Sequence, residues 1–259
     1  MNKIHGRVLA LILLTIVFCA TCQGKSDAFF MEDYSGIYTY GDFTYRIHAD
    51  QTIEIYSYRG NAKRVRVPSE INGMPVCYIG DPGFEGRKNT KYIELPDGLK
   101  KIDGGAFYNC TALKEISIPD TVTEIGACAF SNCRSLTKVK LPQNLTIIDA
   151  AVFSGCKKLK EIQIPKTVKI IEAQAFAGTG LIKVTIPENV TNIERQAFAY
   201  NPKLKKITIK SKKIKYFGYR VFLTGSKSKV VIDVPDKCIK KYKRMLIKKS
   251  SFEGKMKIK

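Results

Sequence analysis

The chain has 259 residues, of which 44% are hydrophobic and 26% are charged, a composition that excludes a disordered protein and can build a sizeable core. The net charge is +21, and it is concentrated in residues 203–259, which hold 20 Lys or Arg against three acidic residues. Such asymmetry excludes an evenly charged surface and favours an acidic partner at one end.

Residues 1–24 have the pattern of a secretory signal peptide. The apolar run Val8–Ala20 follows two basic residues and is too short to span a bilayer comfortably. Residues 25–33 are predicted to be a short linker. Cys22 is a candidate for lipid modification, because Ala20-Thr21-Cys22 resembles a lipoprotein box. The expected location is therefore secreted or at the cell surface, with Cys22 as the candidate anchor.

A fixed period dominates the rest of the chain. Five phenylalanines recur every 23 residues, and a sixth follows after 22: Phe84, Phe107, Phe130, Phe153, Phe176 and Phe198. Prolines keep the same spacing at Pro96, Pro119, Pro142, Pro165 and, after 22 residues, Pro187. A period of this length is typical of a leucine-rich-repeat solenoid, an extended scaffold built from stacked units.

Residues 116–136 show the chemistry of one unit. Ile116 and Ile118 alternate with polar neighbours, which predicts a short strand with one buried face. Pro119 ends the strand because it has no backbone donor. Phe130, beside a small alanine, is expected to fill the interior of a tight turn. A unit this short cannot bury its apolar face alone, so the units must stack.

The run Ile-x-Ile-Pro-x-x-Val-x-x-Ile-x-x-x-Ala-Phe-x-x-Cys-x-x-Leu in this unit resembles the BspA-like class of leucine-rich repeats, a family of surface and secreted proteins. The resemblance implies a β-rich solenoid of about 23-residue units. It implies an N-terminal β-hairpin cap with a first irregular repeat at residues 34–90, repeats at 91–225 and a basic C-terminal cap at 226–259. A tryptophan expected near the C-terminal end is missing.

Cys110, Cys133 and Cys156 occupy one repeat position and are predicted to form a column. Side chains in register point in parallel, which is poor geometry for a disulfide, so buried free thiols are favoured over a disulfide framework. His48, the one histidine after the signal, is expected at the surface. With no Cys-x-x-Cys pair after the signal, we expect neither a metal nor a cofactor.

The sequence shows no set of residues typical of an enzyme. It contains no Gly-x-Ser-x-Gly elbow, no phosphate-binding glycine loop and no convincing carboxylate pair. We therefore expect a non-enzymatic protein.

The first candidate site is the outward face of the stacked strands, which are predicted to form one parallel sheet. Its mixed charges become more basic toward the C-terminus, and we expect this strip to be the main ligand surface, although a merely solvated face would show the same variation. The strip comprises Tyr92, Glu94, Glu115, Ser117, Lys138, Lys140, Glu161, Gln163, Lys183, Thr185, Lys206 and Thr208.

The second candidate site is the lysine-rich end. It would suit an acidic polysaccharide, lipopolysaccharide or envelope lipid, and the export signal argues against nucleic acid. The alternative is a solvated cap that only keeps the end of the solenoid soluble. The candidate residues are Lys210, Lys212, Lys213, Lys215, Lys240, Lys241, Lys243 and Arg244.

Two functions follow from these surfaces. The family resemblance implies adhesion at the cell surface, with a protein ligand on the host or on a neighbouring cell. The alternative is an electrostatic binder of acidic glycans or envelope lipids that acts through the basic end. In both cases we expect a monomer.

Overall fold

The computed structural model describes residues 36–223, 225, 230–248 and 256–259. The predicted signal peptide and linker, with the candidate anchor Cys22, lie outside the described residues. Residues Glu32–Lys259 form one compact unit, whose hydrophobic core is continuous. Within the described ranges, no helix is both long enough and apolar enough to cross a membrane.

Short strands dominate the described part of the chain. In chain order they are β1 (Ile37–Tyr40), β2 (Phe43–Ile47), β3 (Ile53–Tyr58), β4 (Arg64–Arg66), β5 (Glu70–Ile71), β6 (Met74–Gly83), β7 (Tyr92–Glu94), β8 (Lys101–Ile102), β9 (Glu115–Ser117), β10 (Glu124–Ile125), β11 (Lys138–Lys140), β12 (Ile147–Ile148), β13 (Ile170–Ile171), β14 (Lys183–Ile186), β15 (Asn192–Ile193), β16 (Lys206–Ile209), β17 (Tyr216–Phe217), β18 (Val230–Asp233) and β19 (Met256–Ile258). The helix α1 (Ile239–Lys248) follows a 3-10 turn at Asp236–Cys238.

The predicted solenoid is confirmed, and its first ladder includes the strands that lie just before the repeat prolines, such as β7, β9, β11 and β14. Strands β4, β7, β9 and β11 form one parallel sheet, and β14, β16, β18 and β19 form another. The 23-residue period sets the register, so that Lys138 lies opposite Glu115 and Val139 lies opposite Ile116. Equivalent residues of successive coils are therefore neighbours in space.

A second ladder runs along the other side of each coil. It begins at the longer strand β6 and continues through strands of two residues, which pair in parallel through β8 and β10 and then through β12, β13, β15 and β17. Glu124 lies opposite Lys101, and Ile125 lies opposite Ile102. Ile125 is buried, and the sequence analysis did not predict this second sheet.

The prediction of one unbroken sheet on the first ladder is wrong. Residues 161–163 belong to no strand, so the first ladder is interrupted between β11 and β14, and the second ladder is interrupted between β10 and β12. Across both interruptions the phenylalanine rings remain stacked, since the ring centroid of Phe153 lies 5.6 Å from that of Phe130 and 5.7 Å from that of Phe176. The core therefore continues through the gaps in the two ladders.

The repeating phenylalanines form a column of stacked rings through the core. From Phe84 to Phe198, neighbouring centroids are 4.9 to 5.7 Å apart and neighbouring planes lie within 12° of parallel. All six rings are fully buried. Phe222 extends the column at 5.8 Å, with its plane tilted by 30°. The prediction that these rings fill the coil interior is confirmed.

The cysteine column is confirmed as buried, unbridged thiols. Each Sγ lies within hydrogen-bond distance of the carbonyl oxygen of a phenylalanine, at 2.9 Å for Cys110, 3.2 Å for Cys133 and 3.2 Å for Cys156. Burial raises the pKa of Cys110 and of Cys156 to about 12, and it raises the pKa of Cys133 as well. These thiols therefore serve the fold, because each one satisfies a buried carbonyl.

The two ends of the solenoid differ from its repeats. At the N-terminal end, β1, β2 and β3 pair antiparallel before β3 joins β6 in parallel. At the C-terminal end, α1 contacts β17 and buries Tyr242 and Leu246. The Tyr242 ring meets Phe217 edge-on at 5.6 Å. That these segments act as caps stays a prediction.

Candidate functional site

The strip predicted from the sequence lies on the first ladder and points away from the core. Ten of its twelve residues are exposed, whereas Tyr92 and Thr208 are half-buried. Glu161 and Gln163 are also exposed, although their segment forms no strand. We keep the name strand strip for these twelve residues. Their role in binding a ligand stays a prediction.

Two arginines missing from the sequence prediction extend the strand strip at its N-terminal end. Arg64 and Arg66 belong to β4 and lie opposite Tyr92 and Glu94 in register. An Arg64 Nη1 to Glu94 Oε1 distance of 3.2 Å makes an ion pair, and the guanidinium lies 4.6 Å from the centroid of the Tyr92 ring. Val65-Arg66-Val67-Pro68 could have given the signal, because it repeats the alternation and the proline of the later units.

At the C-terminal end of the strip, positive charge is partly neutralised. Lys206 Nζ lies 2.7 Å from Asp233 Oδ2, and Lys259 Nζ lies 3.8 Å from Asp233 Oδ1. The hydrogen bond from Lys206 lowers the pKa of Asp233. Arg64 and Arg66 add positive charge at the opposite end, outside the twelve predicted residues.

Two charged residues in the middle of the strip are more available to a partner than the paired charges at its ends. Lys138 and Glu115 lie opposite each other in register, yet within the described residues no carboxylate or cation comes within 4 Å of either as an ion pair. Farther along, Lys140 pairs with Asp120 at 3.7 Å. Exposed ion pairs of this kind contribute little to stability and can be exchanged for contacts with a partner.

The eight basic residues predicted near the C-terminus are all exposed. We call them the basic cluster. The structure joins its two sequence segments, because Tyr242 Oη donates to the carbonyl of Ser211 at 2.9 Å and accepts from the backbone N–H of Ile214 at 3.2 Å. Lys241 Nζ also donates to the carbonyl of Ile214 at 3.0 Å. The turn that holds Lys212, Lys213 and Lys215 is therefore fixed to the base of α1.

His48 directly follows the last residue of β2 and contacts the carboxylate of Glu54, which the sequence analysis did not single out. Its Nε2 is 3.1 Å from Glu54 Oε2, and its ring centroid is 4.9 Å from that of Tyr78. Arg46 Nη1 lies 3.7 Å from the other carboxylate oxygen of Glu54. His48 keeps 41% of its side chain exposed, so the prediction that it is a surface residue is confirmed. Over the described ranges, no group of three or more His, Cys, Asp or Glu could hold a metal ion.

Comparison with known proteins gives consistent results. A family model for the BspA type leucine-rich repeat region matches in six copies, over residues 52–171, 77–205 and 124–258. A leucine-rich repeat protein of T. pallidum is 29% identical with a TM-score of 0.68, over 79% of this chain and 93% of that chain. A leucine-rich cell surface protein of Faecalibacterium prausnitzii A2-165 is 26% identical with a TM-score of 0.57, over 80% of this chain and 72% of that chain. No curated protein matches the chain.

Proposed function

Since this chain belongs to the BspA-type leucine-rich repeat family, we propose that it is an exported, non-enzymatic scaffold that binds a protein partner through its strand strip. The partner is a protein on a host or neighbouring cell surface, such as a glycoprotein of the extracellular matrix. Adhesion is then the biological outcome of binding. A cell-surface relative with the same fold supports the location.

The observation that carries the proposal is the contrast between the two faces of each first-ladder strand. In β9, Ile116 is buried, while Glu115 and Ser117 beside it are exposed. The inward columns keep aliphatic residues from coil to coil, such as Ile116 and Val139, whereas the outward columns change from Glu115 to Lys138 at equivalent positions. A fixed core thus presents a variable outer face, which can be matched to one partner.

Rigidity favours binding by such a face. Neighbouring strands hold its side chains at fixed spacing, and stacked, buried rings join the successive coils, so little conformational entropy is lost on binding. The unpaired charges of Lys138 and Glu115 lie in the middle of the strip, where an interface is most completely desolvated. We therefore expect these two residues to contribute most to specificity.

The test is binding of residues 32–259 to a panel of immobilised matrix glycoproteins at physiological salt. The key variant replaces Lys138, Lys140, Lys183 and Lys206 of the strip with glutamine, and we expect at least a 10-fold loss of affinity for the partner found. A matched control replaces four exposed lysines outside the strip, Lys157, Lys158, Lys166 and Lys169, which removes the same charge.

Unchanged binding by the control together with weakened binding by the strip variant would support the proposal. Equal binding by the strip variant and the parent chain would overturn the strip as the site. Failure of every panel protein to bind saturably would overturn the adhesive role itself.

A further inference from the structure

We infer that the exposed face of α1, together with the adjoining turn, is a docking surface for an anionic lipid bilayer. The inference goes beyond the proposed protein-binding role, since it concerns a different surface and a different class of partner. Its residues are those of the basic cluster with two additions from the end of the helix, Ile247 and Lys248.

Helical geometry places the basic residues of α1 on one side. Lys243 and Arg244 follow Lys240 by three and four residues, and Lys248 follows Arg244 by four, which puts all of them on a single face. The opposite face buries Tyr242 and Leu246 against the solenoid. The charged face is thereby held outward, and α1 cannot roll to hide it without breaking the core.

The positive charge of this surface is not neutralised within the described part of the protein. There, none of the eight residues of the basic cluster lies within 4 Å of a carboxylate. Two of them donate hydrogen bonds to neutral groups instead. Lys213 Nζ donates to Oδ1 of Asn189 at 3.1 Å, and Lys241 Nζ donates to the carbonyl of Ile214. Packing this many like charges together is unfavourable unless an anion neutralises them, so a multivalent anionic partner would bind here favourably.

An exposed apolar residue at the centre of the basic face favours lipid over a soluble polyanion. Ile247 is 55% exposed, which is the largest value among the exposed large hydrophobic residues described. It lies in a shallow depression walled by the aliphatic stems of Lys240, Lys243, Arg244 and Lys248. A glycan or nucleic acid would gain nothing from this apolar centre, whereas a bilayer can accept it below the headgroups while the charged ends remain at the phosphates.

The turn beside the helix enlarges the surface. Lys212 and Lys215 are exposed, and the two hydrogen bonds of Tyr242 hold their turn against α1. Each Lys or Arg near an anionic leaflet strengthens binding about five-fold. Several such residues held on one rigid surface bind together without the entropic cost of ordering a flexible tail.

The experiment measures partitioning of residues 32–259, the compact unit, onto large unilamellar vesicles. One set of vesicles contains phosphatidylglycerol and phosphatidylcholine, and the other contains phosphatidylcholine alone. The charge variant carries Lys240→Gln, Lys243→Gln and Arg244→Gln, and its matched control carries Lys157→Gln, Lys158→Gln and Lys166→Gln. The apolar variant is Ile247→Asn, which keeps every charge. Heparin fragments serve as a soluble polyanion.

We expect the parent to bind the anionic vesicles and not the neutral ones. The charge variant should bind about 100-fold more weakly, and the matched control should bind like the parent. Ile247→Asn should weaken vesicle binding about 10-fold and leave heparin binding unchanged. These results would support the inference.

Three other outcomes would overturn it. One is absence of binding to anionic vesicles even at low salt. Another is a loss of vesicle binding in the matched control that equals the loss in the charge variant, which would mean that net charge alone attracts the protein. The third is heparin binding by the cluster with no effect of Ile247→Asn on vesicles, which would assign the surface to acidic glycans. None of these outcomes bears on the strand strip, so the proposed protein-binding function fails or stands separately.

Discussion

The rings of Phe107 and Phe130 lie 4.9 Å apart, and their planes are within 4° of parallel. Each ring belongs to a different coil, so the core of one coil is formed partly by side chains of the neighbouring coils. Offset stacking of this kind adds to the gain from burying the ring. Loss of one ring therefore removes contacts from three coils at once.

Replacement of Phe130 by alanine tests this column. The ring is fully buried between Phe107 and Phe153, so a cavity would remain that neither neighbour can fill without leaving its own position. We expect the free energy of unfolding to fall by about 3 to 5 kcal/mol, measured by urea denaturation. Tyr108→Ala is the control, since Tyr108 is exposed and should lose no more than about 0.5 kcal/mol. A loss below about 1 kcal/mol for Phe130→Ala would contradict the role given to the column.

The sequence was most informative where a single residue type recurs with the period. The rings and thiols were predictable because position in the unit decides their neighbours. The interruption at residues 161–163 was not predictable, because Ile162-Gln163-Ile164-Pro165 has the same pattern as units that do form strands. The pattern of this unit alone therefore does not show that its segment leaves the ladder.

The candidate sites were predictable in position but not in electrostatics. Alternation fixes which side chains of a strand face outward, so the strip could be assigned from the sequence. Its ion pairs join residues of different coils, such as Arg64 with Glu94 and Lys206 with Asp233. Likewise, the exposure of Ile247 could not be predicted from the sequence alone, because the packing of Tyr242 and Leu246 decides which face of α1 is exposed.

A turn position with a left-handed backbone provides the second prediction. Ala151 has φ of 53°, and the equivalent residue two coils earlier is Gly105, with φ of 71°. The left-handed conformation costs a residue with a Cβ about 1 to 2 kcal/mol, so Ala151→Gly should raise the free energy of unfolding by about 1 kcal/mol.

The adjacent Ala150 is the matched control for this change. It lacks a left-handed φ, so Ala150→Gly should lower stability by about 0.5 to 1 kcal/mol. The two glycine variants should therefore differ in sign when both are measured by urea denaturation. The same sign for both would show that backbone strain at Ala151 is not relieved by glycine.

The hydroxyl of Tyr242 provides the third prediction. It makes two buried hydrogen bonds to the turn at residues 211–214, so Tyr242→Phe should leave the Ser211 carbonyl and the Ile214 N–H without this partner. We expect a loss of about 1 to 3 kcal/mol in thermal or urea unfolding. Tyr219→Phe, at an exposed ring, should change stability by less than about 0.5 kcal/mol. Equal effects of the two variants would mean that the hydroxyl of Tyr242 does not help to hold the turn against the helix.

The buried thiols provide the fourth prediction, a loss of stability at alkaline pH. Burial raises the pKa of Cys156 to about 12, whereas a thiol in the unfolded chain has a pKa of about 8.5. Below pH 8.5 both states keep the proton, and the stability contributed by the buried thiol is complete. Between pH 8.5 and about 12 the unfolded state alone releases the proton, so folding becomes less favourable as the pH rises.

The measurement is urea unfolding in the presence of reductant at pH 8 and at pH 10.5. Ionisation of Cys156 in the unfolded chain should account for about 2 to 3 kcal/mol of the loss between these two pH values. Cys156→Ala should therefore lose less stability over this interval than the parent, whatever its stability at pH 8. Leu159→Ala is the control, because Leu159 is equally buried in the same coil and cannot titrate. If Cys156→Ala and Leu159→Ala lose the same amount between the two pH values, the thiol does not hold its proton in the folded state, and the raised pKa of Cys156 is contradicted.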